Sequence, residues 1–381
     1  MSRRLFPTQE IGSIARPLWQ LQGQRGTPLD ARARQEFELW NGRLGFADPN
    51  APEVHSFLHG APTPTPSALI KDWSALFGLR LFEAAGLDRV YDGEARRIEM
   101  YEYAVRQMRG FEFQGHVRSF DNKYYLKAAG VGPVRVDRPY HVEEFDYVRR
   151  HARREVKVPV TGPYTIADWS YNEYYLGRHP GWKGRAVRRS AQRDFVVEVA
   201  RQAIRPTLKA LIAGGCRVIQ IDEPAAGTHP DEADLVAEGF NAATEGLDAE
   251  FTMHICFSEY RSLFPALLEA KRCAQWTWEF ANRDSAEHDG YAVLSMFREF
   301  GDTRQVGLGV LDVHRDVLET PEVVEDRILR AARVLGDPGR LWINPDCGLR
   351  TRSLEVTWKK LLAMDEGARR ARAHFEGKGA A

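Results

Sequence analysis

No stretch of this sequence approaches the roughly 20 consecutive apolar residues that a membrane-spanning helix needs, so no membrane span is expected. Cysteine is scarce, with four in 381 residues. That is too few for a disulfide framework, and a thiol with a task is then a ligand or a nucleophile. Net charge is missing too: 53 Lys and Arg balance 53 Asp and Glu, leaving no global field to recruit nucleic acid or an anionic membrane. The N-terminal MSRRLFPTQEIGS has basic residues with no apolar core behind them, which is not a signal peptide and points to the cytoplasm. Neither a Gly-x-Gly-x-x-Gly after the first strand nor a phosphate loop is present, which removes the best support for a nucleotide-binding fold.

What is there belongs to a globular chain, with 43% hydrophobic and 11% aromatic residues. Short β-rich apolar runs fall at 9–13, 88–93, 157–163, 216–224, 250–256, 275–280, 305–313 and 340–346, with amphipathic helical patterns between them. The run 188–215 repeats apolar positions at helical spacing and ends in Gly-Gly, and Thr320-Pro321-Glu322 opens another helix as an N-cap followed by proline. Eight strands alternating with helices predict an α/β fold, a single (β/α)8 TIM barrel over residues 1–381. Residues 111–137 read as an irregular hairpin and 20–66 as a long loop, two insertions covering the active-site face.

On this reading the polar motifs gather at the carboxyl ends of the strands, the face on which barrel enzymes build their sites. His254 and Cys256 are two apart on one strand and point the same way. Glu279 and Cys347 end two later strands, 23 and 91 residues beyond Cys256. Together they form a tetrahedral donor set suited to Zn²⁺. The plainer alternative is a satisfied core histidine beside a cysteine acting as a small hydrophobe, and spacing alone does not decide. Cys216 and Cys273 fall at the opposite strand ends and read as structural. A metal held by two thiolates and a carboxylate is a poor source of hydroxide. It would instead hold a further thiolate and leave it nucleophilic, so the chemistry inferred is thiol alkylation.

Eight blocks in order resemble the catalytic C-terminal half of cobalamin-independent methionine synthase: IGS, DGEARRIEMYEY, TGPYTIADWSY, RVIQIDEPA, HICFSEY, WEFANR, GLGVLDVH and LWINPDCGLRTR, over roughly residues 9–360. The resemblance implies a zinc-dependent barrel that transfers a methyl group to homocysteine. It implies that His254, Cys256, Glu279 and Cys347 bind zinc. Ser13, Glu94 and Asp222 would hold the amino acid part of the substrate, His314 would protonate the departing methyl carrier, and Trp169 would offer the donor a flat surface. Asp346 and Arg350 are assigned to support of the cysteine loop. The chain begins at the catalytic barrel, as the short core forms of the family do. Their donor is a methyl-corrinoid, with a corrinoid carrier protein as partner, or 5-methyltetrahydrofolate. IARP at 14–17 and the loop after Glu279 depart from the long enzymes where donor specificity would be set. The competing activity is a zinc thiol transferase with another acceptor, such as one joining coenzyme M to an epoxide. It has no need of an amino acid pocket.

Overall fold

The structure is a computed structural model that describes residues 4–60, 65–118 and 124–378, the side chains of 376–378 excepted. Among the described residues ten strands run in chain order as β1 (Arg89–Val90), β2 (Met108–Arg118), β3 (Tyr124–Val136), β4 (Glu155–Thr161), β5 (Tyr171–Asn172), β6 (Val218–Asp222), β7 (Glu250–Ile255), β8 (Cys273–Trp278), β9 (Gln305–Leu311) and β10 (Leu341–Pro345). Seven make one sheet, in the order β1-β4-β6-β7-β8-β9-β10, and every pairing in it is parallel. Its central strands are buried over most of their length, with polar residues set among the apolar ones. The structure thus bears out an α/β fold built on a curved parallel sheet.

The strand expected over 9–13 does not form as a regular strand. Thr8 bridges Ile343 of β10 and Gln9 bridges Arg89 of β1, so the segment lies between the two edges of the sheet. Gln9 N donates to the Ile343 carbonyl at 2.8 Å, and Ile343 N to the Pro7 carbonyl at 2.8 Å. Pro7 has no N–H to extend the ladder, and by Gly12 and Ser13 the chain already lines the site cavity.

Residues 20–66 are not the long loop expected. Helices Leu18–Gln24, Ala31–Leu44 and Pro52–His59 occupy much of the segment. Asp30 caps the second through Ala33 N at 2.8 Å, and Trp19, Phe37, Phe46 and Phe57 pack into one aromatic cluster. The sequence signal for the second helix is the i, i+4, i+7 spacing of Ala33, Phe37 and Trp40, its buried face. None of the described residues in this stretch borders the site cavity. The hairpin forms as β2 and β3, antiparallel, with register shifts after Arg109 and Phe113; residues 119–123 lie outside the described residues. The helical run from 185 is also interrupted: a π turn, Ala200–Ile204, sits between helices Arg185–Val199 and Arg205–Ala213. Pro206 lacks the N–H that an unbroken α-helix would use there. Among the described residues no helix is long and apolar enough to cross a membrane.

A buried ion-pair network braces the edge of the sheet next to the site. Arg97 donates to Glu144 Oε1 through Nε at 3.0 Å and Nη2 at 2.5 Å, and to the Pro159 carbonyl at 2.8 Å. Tyr91 OH and His141 Nδ1 share the same carboxylate oxygen. Arg97→Met would strand Glu144 as an unpaired buried charge. It should destabilise the fold by about 3–5 kcal/mol in denaturant unfolding; a cost below about 1 kcal/mol would show the network to be solvated.

Candidate metal centre and substrate cavity

The ends of the parallel strands converge on a cavity of about 200 Å³. β7 delivers His254 and, one residue past its end, Cys256; the turn after β10 delivers Cys347. One ligand atom from each of the three lies within 4.8 Å of the others. His254 Nδ1 donates to the Thr277 carbonyl at 3.0 Å, which leaves Nε2 as the ring nitrogen available to a metal. Among the described residues no hydrogen-bond partner meets that buried Nε2. Glu279, just past β8, is anchored through Oε2 by Phe257 N at 2.9 Å and Asn282 Nδ2 at 3.0 Å. Its Oε1 lies 3.4 Å from His314 Nε2.

The electrostatics match a cation site. Cys347 is held well below the ordinary thiol range, first by a hydrogen bond from Cys256 and then, against burial, by His254. Cys256 is pushed well above it, chiefly by the Cys347 sulfur. Burial would lower His254, but the Cys347 thiolate beside it raises it to about 9. A desolvated thiolate, a second thiol, an imidazole with an uncommitted nitrogen and an adjacent carboxylate fit a tetrahedral soft-to-borderline cation. Cys216 and Cys273 stay apart from this cluster. Each donates to a carbonyl two residues on, Val218 and Gln275, and burial pushes both thiols up to about 12.

The support for Glu279 is Asp346, whose carboxylate accepts from Phe280 N and Ala281 N at 2.9 Å and Asn282 N at 2.7 Å. It reaches them across Gly309, where a Cβ would stand 2.1 Å from Asp346 Oδ1. Asp346 therefore braces the Glu279 loop rather than the cysteine loop alone. The cysteine loop instead rests on Ser13: a Cβ on Gly348 would meet the Ser13 carbonyl oxygen at 3.0 Å and its nitrogen at 3.1 Å.

Ser13, Glu94 and Asp222 all line the cavity beside the cluster. Glu94 follows Gly93 in a tight turn, with Glu94 N donating to Asp92 Oδ1 at 2.9 Å. It holds a left-handed φ of 57°, as does Phe257 at 51°. Both line the cavity, and left-handed non-glycine backbone of this kind is enriched at functional sites. Glu94 Oε1 would sit 3.0 Å from a Cβ on Gly12, so the carboxylate lies against the Gly12–Ser13 backbone. Burial raises Asp222 to about 7 and lifts Glu94 as well; desolvated carboxylates of this kind favour a cationic partner.

His314 sits at the rim, its backbone N–H donating to Asp312 Oδ1 at 2.8 Å and its ring 4.6 Å from that of Phe257. Burial would lower it, but Glu279 raises it to about 9, ready to hold a proton. Trp169 also lines the cavity, stacked on Tyr125 of the hairpin at 5.1 Å. Tyr125 and Phe257 were not singled out from the sequence, since the first depends on where the hairpin folds over. Arg350, expected only as a support, also lines the cavity, and no other lysine or arginine does so among the described residues.

These features define an α/β protein whose cavity, with its cluster of His, Cys and carboxylate side chains, lies at the carboxyl ends of parallel strands. Residues 77–370 match the family model described as cobalamin-independent synthase, catalytic domain. The chain is 34% identical to a methionine synthase of Pyrococcus abyssi over 100% of this chain and 97% of that protein. It is 40% identical to one of Thermoplasma acidophilum over 75% of this chain and 84% of that one. The fold also superposes on a B12-independent methionine synthase from Shewanella sp. W3-18-1 in complex with selenomethionine. The TM-score is 0.73 with 24% identity, covering 98% of this chain and 99% of that one. The chain belongs to the cobalamin-independent methionine synthase family.

Proposed function

We propose that the protein transfers a methyl group to the thiol of homocysteine, forming methionine, with Zn²⁺ held by His254, Cys256, Glu279 and Cys347. The observation that carries this reading is the convergence of the His254–Cys256–Cys347 cluster with Glu94 and Asp222 on one cavity. When bound, zinc supplies the charge that lets a substrate thiol lose its proton while its sulfur stays nucleophilic. Glu94 and Asp222 receive the ammonium. Ser13 and Arg350 receive the carboxylate; the guanidinium donates to the Ile98 carbonyl at 3.1 Å and matches a carboxylate in shape and charge. The S–CH₃ bond forms as the bond from methyl to donor breaks, and the electron pair leaves on the donor. His314 holds the proton for a donor that departs as a base.

Trp169 and Tyr125 offer that donor an aromatic wall. The donor in this reading is 5-methyltetrahydrofolate or methylcobalamin, the latter delivered by a corrinoid carrier protein, in the cytoplasm. The same reading takes the sheet as a closed eight-stave barrel, with the segment around Thr8 and Gln9 as the stave between β1 and β10.

Asp222→Ala should weaken homocysteine binding at least about tenfold, since a buried charged hydrogen-bond partner is lost, while zinc content stays at the wild-type level. Calorimetric titration with homocysteine measures this, and an unchanged affinity would remove Asp222 from the pocket.

A further inference from the structure

The interior of the curved sheet holds a cation that the proposed chemistry does not use. Lys157, on β4, is fully buried. Its ammonium donates to the Glu10 carbonyl and to Gln220 Oε1, both at 2.5 Å. Its nearest carboxylate oxygen, Glu10 Oε1, is 4.0 Å away, and among the described residues neither carboxylate oxygen of Glu10 has a hydrogen-bond partner. An amine placed so deep without a close counter-charge is costly, and an apolar side chain would fill the space. The next link shows what it does.

Gln220, on β6, is also fully buried. Its amide nitrogen donates to the Ile11 carbonyl and to Asp222 Oδ1, both at 2.7 Å. A backbone carbonyl oxygen can only accept, so the amide cannot be turned over: its NH₂ end faces Ile11 and Asp222. Its oxygen end then needs a donor, and Lys157 is that donor. One amide therefore grips both halves of the cavity at once. One half is the Asp222 carboxylate, and the other is the start of the Ile11-Gly12-Ser13 segment.

We infer that Lys157 and Gln220 are positioning residues that set the separation between the ammonium-binding and carboxylate-binding halves of an α-amino-acid pocket. The inference rests on the assignment of Asp222 and Ser13 to those halves. Lys157 pins the Gln220 amide, and Gln220 ties Asp222 to the segment carrying Ser13. Neither touches substrate. Without the tie, Asp222 could rotate and the segment could shift independently, and a ligand using only one half would be little affected.

The test compares homocysteine with 4-mercaptobutanoate, the same thiol without its amino group. The zinc-loaded wild type, Lys157→Met and Gln220→Met are titrated with each. Both variants should bind homocysteine about tenfold more weakly or worse, and 4-mercaptobutanoate within about twofold of wild type. KM for homocysteine should rise much more than kcat falls. Wild-type homocysteine affinity in either variant, or an equal loss for both ligands, would overturn the inference. The double variant, in which amine and amide go together, keeps the comparison available if a single variant does not fold. A wild type that binds both ligands equally would overturn the amino-acid pocket itself, an outcome separate from unaffected variants of a discriminating wild type.

Discussion

Replacing Cys347 by serine should strip the protein of metal and of activity together. Wild type is expected to carry about one zinc per chain by elemental analysis, and the variant less than a tenth of that. Serine keeps the size of the side chain, but its hydroxyl does not ionise near neutral pH, so it cannot replace a thiolate ligand. Cys347 is the appropriate position because it is half-buried and can change without emptying the core. It is also the thiol that Cys256 and His254 together hold furthest toward the ionised form. Homocysteine methylation should fall by roughly 10³-fold or more, the size of several kcal/mol of lost charge stabilisation. A metal-free wild type with full turnover would sink the proposed mechanism, and so would a serine variant that keeps its zinc.

The second large effect is expected at His314. His314→Gln removes a group placed at the rim, 3.4 Å from Glu279 Oε1, without emptying the metal site. With 5-methyltetrahydrofolate as donor the nitrogen that leaves must be protonated, and loss of a positioned general acid costs about 10²–10⁴-fold in rate. With methylcobalamin the electron pair stays on cobalt and no proton is needed, so turnover should be nearly unchanged. The variant thus reports on the donor as well as on the residue. Equal activity of wild type and variant with the folate would remove His314 from proton transfer.

The residues that meet at the cavity lie in short motifs at strand ends, which makes their placement legible in the sequence. The spacing of His254 and Cys256 on one strand places both side chains on one face whatever surrounds them. Motifs around Glu279, Asp222 and Cys347 follow apolar runs that become β8, β6 and β10, and the C-terminal end of a parallel strand has one orientation relative to its neighbours. Thr320 likewise caps its helix, Pro321–Leu335, as its position foretold. Failure came where local pattern competes with tertiary packing. Residues 20–66 carry prolines and polar stretches that suggest a loop, yet aromatic burial folds much of the segment into helices. The segment at 9–13 has the composition of a strand, yet pairs only through single bridges to the two sheet edges.

What the sequence determined by itself is the chemistry: which residue types are present, in which order, and on which side of each strand they point. Those properties follow from backbone periodicity, which is local. The tertiary structure alone decided how they combine. It brought Cys347 to Cys256 and His254, laid Glu94 on the Gly12–Ser13 backbone, and stacked Tyr125 on Trp169. It also ran the donor chain from Lys157 through Gln220 to Asp222. Each of these contacts joins segments whose separation along the chain bears no relation to their separation in space. Side-chain distances of a few ångströms between such segments are set by the register and curvature of the whole sheet, which no local pattern encodes.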